Sequence, residues 1–348
     1  MNSSRRSRMP ITALVGSAAI ALALSGCSAA ASDATEQLSI VASTSVYGQI
    51  ASEIAGDAAS VTSIIDSSVN DPHSYEASAR DKLSVSRADV VILNGAGYDS
   101  FMETLVADAP NEKRSVLNVS ELSGLLPGDE HVHDEGEEHA HEGEDHSHAE
   151  TSEPAEGAEQ SAEGSADEHG HEHIEGFNEH LWYNFDAMRH LAEAIEAELS
   201  ERAPEQATSF AANAKAFEAE LSSLEERASG LAAQFTGTPV AITEPVPLYL
   251  LEAVGLHNET PASFSEAIEE GDDVAPRVLR DMITIVEQPV ALLAYNAQTA
   301  SPQTELVRDA ATAASVPVVD FAETLPANSS YISWMNDNVD ALSQALGA

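Results

Sequence analysis

The feature that most limits the folds open to this chain is an alternation of short apolar runs with amphipathic stretches, and it occurs twice. Strand-like LSIVAS is followed by helical VYGQIASEIAG, strand VTSIID, helical ASARDKLSVSRA and strand DVVILNG, which ends in the Asn94-Gly95 turn signal. Toward the end of the chain, strand-like TPVAIT leads to helical PLYLLEAVGL, a polar loop and helix APRVLRDMITIVEQ. Strand PVALLAYN, helix SPQTELVRDAATAASV, strand PVVDFA and helix SYISWMNDNVDALSQAL follow. Strands separated by helical segments read as parallel β-α-β units. The expected class is therefore α/β, with two lobes, each built on a central, mostly parallel sheet flanked by helices.

Between the two blocks lies a helical region. In FNEHLWYNFDAMRHLAEAIEAEL, Leu191, Ile195 and Leu199 recur at helical spacing after an Asn184 or Asp186 cap. Pro204 then opens a second helix with Phe210, Phe217, Leu221 and Leu224 along one face. At about 1.5 Å per residue it spans roughly 45 Å, the length of a spine joining two lobes. The expected boundaries are 38–203 for the first lobe, 204–235 for the linking helix and 236–348 for the second lobe.

Residues 127–178 interrupt the first lobe with a stretch almost free of apolar side chains, reading PGDEHVHDEGEEHAHEGEDHSHAE and onward to EGSADEHGHEH. Such a segment buries too little surface to offset its ordering entropy, so a disordered insertion is expected. It carries nine of the thirteen histidines, among them the pairs His131/His133, His139/His141, His146/His148 and His171/His173. A multivalent collector of metal ions fits that composition; a merely solvated acidic segment is the alternative. It is not expected to be the main site, because a disordered chain loses entropy each time it closes on an ion.

Arg5, Arg6 and Arg8 precede the apolar run ITALVGSAAIALAL and then Leu24-Ser25-Gly26-Cys27. This pattern predicts a secretory signal over 1–26. Cys27 is the only cysteine, so no internal disulfide can form. Leu-Ser-Gly-Cys resembles the bacterial lipobox, which implies a lipidated Cys27, a flexible tether over 27–37 and an extracytoplasmic chain held on the outer face of the cell membrane, or a periplasmic one where an outer membrane is present. With 15 Lys and Arg against 59 Asp and Glu, the net charge of −44 argues against a nucleic-acid partner and favours cations.

Outside the insertion only His73, His180, His190 and His257 remain. His73 follows strand VTSIID, at the strand end where open parallel sheets bind ligands, and Pro72 stiffens the backbone before it. His180 stands before Leu181-Trp182-Tyr183, where, taken alone, a buried, satisfied imidazole is the leading reading. His190, mid-helix, and His257, in a loop after a helix, read as structural. Glu244 ends strand TPVAIT and Glu323 ends strand PVVDFA, with Asp320 close enough to compete. Acids at strand ends are often only solvated or capping. Two imidazoles and two carboxylates at one cleft edge would nevertheless suit a divalent transition metal.

The runs DPHSYEASARDKLSVSRADVVILNGAGYDSFM, EHLWYN and ITEPVPLYLLEAVGL resemble the zinc/manganese solute-binding proteins of ABC importers, over residues 38–348 apart from the insertion. The resemblance implies metal ligands at His73, His180, Glu244 and Glu323, with Asp320 still open as the fourth. It also implies a single long helix joining the lobes, a metal site in the cleft between them, and a monomer that hands its ion to a permease with a cytoplasmic ATPase. Zinc members of that family often have His in the third position, whereas Glu244 matches manganese members; the His-rich insertion points back to zinc. Because affinity of nitrogen and oxygen sites rises from Mn²⁺ to Zn²⁺, Zn²⁺ is the expected cargo, with Mn²⁺ or iron the alternative. Neutral imidazole is needed for binding, so loading is expected to weaken toward pH 5. A secreted metallohydrolase, the rival from another class, would need an open coordination position and a general base, and no His-Glu-x-x-His signature is present. An adhesin or extracellular zinc buffer is a third reading.

Overall fold

The computed structural model describes residues 37–66, 71–128, 174 and 176–348. The expected signal segment, Cys27 and most of the acid- and histidine-rich insertion lie outside the described residues.

The first block forms β1 (Leu38–Thr44), α1 (Ser45–Ala55), β2 (Ala59–Ile65), α2 (Ala79–Arg87), β3 (Val90–Leu93), α3 (Ser100–Asp108), β4 (Ser115–Asn118) and α4 (Val119–Ser123). Two long helices follow, α5 (Phe185–Arg202) and α6 (Ala207–Phe235). The second block forms β5 (Pro239–Ile242), α7 (Leu248–Ala253), β6 (His257–Asn258), α8 (Ala262–Glu269) and α9 (Pro276–Val286). It ends with β7 (Leu293–Asn296), α10 (Pro302–Ala313), β8 (Val318–Phe321) and α11 (Tyr331–Leu346). All strand pairs are parallel, in the orders β2-β1-β3-β4 and β6-β5-β7-β8. In each sheet the first strand has its successor on one side and the third strand on the other. The crevice at the carboxyl ends of that pair is where such sheets bind ligands.

Strand periodicity sorts the side chains between cores. Ile40, Ala42, Val90 and Ile92 enter one large core, whereas Val41, Val91 and Leu93 face the opposite side with Val85, Phe101 and Met102. The second sheet repeats the division: Val240, Ile242 and Ala294 join the large core, and Ala241 and Leu293 pack with Phe264, Met282 and Val286. Helix α6 joins the two halves. Its buried residues Phe210, Ala214, Phe217, Leu221, Leu224, Ala228 and Leu231 advance by alternate steps of four and three, a continuous apolar seam. Over 29 residues it is about 43 Å long. It packs on α1 and α5 of the first half and on α7 and α11 of the second.

Five elements depart from expectation, one of them the short helix α4, where no element was expected. β4 and β6 are missing from the sequence reading because an edge strand of four residues and one of two carry too little alternation to register. His257 therefore sits in exposed strand β6 and not in a loop. Helix α3, Ser100–Asp108, was not anticipated. The polar loop expected before helix α9 contains α8, held by buried Phe264 and Ile268 one helical turn apart. Phe177 and Asn178, inside the expected insertion, belong to the folded body: Phe177 packs against the large core, and Asn178 donates to the Pro245 carbonyl.

Candidate metal centre

His73 lies in the loop after β2, and Asp71 shapes that loop. One Asp71 oxygen accepts from the His73 backbone N–H at 2.9 Å and the other from Ser74 Oγ at 3.0 Å, an Asx turn behind buried Pro72. The imidazole packs edge-on against Tyr98, with ring centroids 4.8 Å apart. Its Nδ1 stands 3.4 Å from Glu179 Oε1 and its Nε2 3.9 Å from Glu323 Oε2. Different ring nitrogens thus face carboxylates from the two halves.

His180 precedes the short 3₁₀ turn Leu181–Tyr183 and is 1% exposed. Its tautomer follows from its neighbour. Asn178 Nδ2 donates to the Pro245 carbonyl, so Oδ1 is the acceptor 2.8 Å from His180 Nδ1. Nδ1 therefore carries a proton, and in the neutral ring this leaves on Nε2 the lone pair a metal requires. The segment is tied to both halves. Asn94, at the end of β3, donates to the Glu179 carbonyl, and Tyr249 to the Asn178 carbonyl. Tyr183 donates to the Ala322 carbonyl and Tyr331 to that of Trp182. Pro245 and Ala322 are direct neighbours of Glu244 and Glu323, so these bonds fix His180 relative to both acids.

Glu244 and Glu323 follow β5 and β8 and are 3% and 4% exposed. Asn296, ending β7 between those strands, donates one amide hydrogen to Glu244 Oε2 at 2.6 Å and one to Glu323 Oε1 at 2.7 Å. Thr299 also donates to Glu244 Oε2. Burial raises Glu244 to about 7, the hydrogen bonds from Thr299 and Asn296 opposing it. Burial and then the charge of Glu244 raise Glu323 to about 8. Asp320, the competing fourth candidate, lies on β8 itself and is exposed.

Ligating atoms of His73, His180 and Glu323 all lie within 4.8 Å of one another. Tetrahedral zinc with bonds of about 2.1 Å sets its donors roughly 3.4 Å apart, so only a small contraction separates this group from a bound geometry. Glu244 stands outside that triplet and is coupled to Glu323 through Asn296. His190 and His257 are exposed and take no part.

Three residues of the site escaped the sequence reading: Asn296, Glu269 and, beside His73, Glu179. Asn296 carries a legible signal, since PVALLAYN ends in Asn as DVVILNG does in Asn94. Glu269, at the end of α8, has Oε1 3.6 Å from His180 Nε2. Burial first, then Glu179, Glu244 and Glu323, push it up to about 9. Phe264 and Ile268 at helical spacing could have placed α8, though not its direction.

Comparison with known proteins matches residues 40–345 to the family model described as zinc-uptake complex component A, periplasmic. The manganese-binding lipoprotein MntA of Halalkalibacterium halodurans is 28% identical over 269 residues, 72% of this chain and 73% of that protein. Among solved structures, the solute-binding protein FpvC of Pseudomonas aeruginosa in complex with Ni²⁺ superposes with a TM-score of 0.64 at 21% identity, covering 90% of this chain and 97% of that one. The periplasmic zinc binding protein TroA of Treponema pallidum gives 0.62 at 17% identity, covering 89% and 99%.

Proposed function

The chain belongs to the zinc-uptake complex component A family, the metal-binding receptors of ABC importers, and on that premise we propose that His73, His180, Glu244 and Glu323 grip its cargo ion. A receptor of this kind captures and releases; it is not an enzyme. What carries the reading is the convergence of two imidazoles from the first half with two buried carboxylates from the second, three of the four within 4.8 Å. Four protein donors leave no coordinated water to activate, which suits transport.

We favour Zn²⁺ as the cargo. Mixed imidazole and carboxylate donors bind it more tightly than Mn²⁺, and softer imidazoles in the insertion suit it as well. Manganese is the second reading, favoured by Glu244 in the third position and by the name of the relative MntA. The partners proposed are a permease with its ATPase, reached by a monomer divided at 38–203, 204–235 and 236–348. A lipid on Cys27 would hold it to the outer face of the membrane; among the described residues no helix is long and apolar enough to cross one.

Metal analysis and calorimetry on residues 28–348 test this. One tight ion per chain is expected, bound more tightly as Zn²⁺ than as Mn²⁺, and His73→Ala should abolish it. Tight binding that survives His73→Ala would refute the assignment.

A further inference from the structure

Beside the proposed ligand group, a second set of donors shares one of its histidines. Ligating atoms of His73, Glu179 and Glu269 also lie within 4.8 Å of one another. The two sets interlock: Glu179 Oε1 is 3.4 Å from His73 Nδ1, and Glu269 Oε1 is 3.6 Å from His180 Nε2. Each imidazole of the deeper group therefore has a carboxylate of the second set at its side.

A cavity of about 530 Å³ reaches the two carboxylates of this second set, while His73 lies behind them, outside its lining. Its lining includes Glu179 and Glu269 together with Glu266 and Glu270. Glu266 and Glu270 are exposed, the Glu269 side chain is 16% exposed, and Glu179 is buried. Carboxylates thus run from solvent to the imidazoles. The deeper carboxylates, Glu244 and Glu323, do not line this cavity. A hydrated divalent ion cannot shed all its water at once without a large penalty. Donor atoms of Glu269 and Glu179 replace that water in stages, whereas exposed Glu266 and Glu270 add only to a general field that solvent screens.

We propose that Glu269, with Glu179 and His73, forms a landing position that the ion occupies on its way between solvent and the deeper His73–His180–Glu323 group. The proposal rests on the receptor reading above. It assigns Glu269 a role in the path of the ion and not among its final ligands.

The consequence is kinetic. Removing an intermediate position raises the barrier in both directions and leaves the end states nearly unchanged. Stopped-flow capture of Zn²⁺ by the full chain, and its release to a chromophoric chelator, would be compared for wild type, Glu269→Gln, Glu269→Asp and Glu266→Gln. Glu269→Gln should slow capture about tenfold and slow release comparably. Its Kd should stay within about threefold of wild type. Glu269→Asp, which keeps the carboxylate, should recover most of both rates, and Glu266→Gln should be near wild type. Wild-type rates in Glu269→Gln would overturn the landing position while leaving the receptor reading intact. So would an equal effect from Glu266→Gln, which would reduce the role to general charge, or a weaker Kd from faster release alone. A wild-type chain that holds no tight ion would overturn both.

Discussion

Asn94 and Asn296 do corresponding work in the two halves. Asn94 directly follows and Asn296 ends the third strand of its sheet, and each donates its amide to a group at the candidate metal centre: the Glu179 carbonyl for one, the paired carboxylates for the other. Asn296 holds two acids that burial makes reluctant to ionise. With ordinary values of 4.5 raised to about 7 for Glu244, 8 for Glu323 and 9 for Glu269, the folded, ion-free chain retains protons that the unfolded chain has lost. Their contribution to stability is complete below pH 4.5 and disappears as the pH rises through those raised values. An ion held by Glu244 and Glu323 requires those two ionised, so its binding releases protons and strengthens with pH. Melting temperatures of chelator-stripped and Zn²⁺-loaded protein between about pH 5.5 and 8.5 should show a gap that widens with pH. A gap that narrows would contradict the assigned protonation. His73 and Glu323 could be singled out from their places after strands, but Asp320 could not be set aside from spacing alone. Its exposure on β8 follows from strand alternation in the folded sheet.

Helix α6 shows how far pattern reading reaches. Its apolar seam is visible as a repeat of Phe and Leu, and the structure adds Ala214, Ala228 and Leu231 to the buried face. Leu221 is fully buried near the middle of the seam. Leu221→Ala should cost about 2–5 kcal/mol, since the helices on either side cannot both collapse into the void. Urea denaturation of the ion-free protein would measure this, and a loss well below that range would mean the seam repacks. Helix α8 marks the limit. Its eight residues carry two large apolar side chains, Phe264 and Ile268, within a run rich in Ser and Glu, so composition favoured a loop. Only packing of those two against Ala241, Met282 and Leu293 makes the segment a helix. That helix carries Glu269 to His180.

The whole molecule combines a compact body with a long acidic insertion placed in sequence between the first two candidate ligands, His73 and His180. Nine histidines in the insertion sequence and two among the candidate ligands predict two classes of binding, weak and multiple against tight and single. Removing residues 129–175 should lower the number of ions bound per chain and spare one tight site, as calorimetry would read. Loss of the tight ion with the deletion would instead place the main site in the insertion. Local pattern was sufficient for the two sheets, because alternation and helical spacing are properties of neighbouring residues. It was sufficient too to single out imidazole and carboxylate candidates for the proposed metal centre, because so few histidines stand apart from the insertion. Long-range packing settled the rest. Which strand ends meet, that Asn296 bridges Glu244 to Glu323, and that Glu269 joins them depend on residues tens to hundreds of positions apart being brought within a few ångströms. No spacing along the chain encodes a distance of that kind.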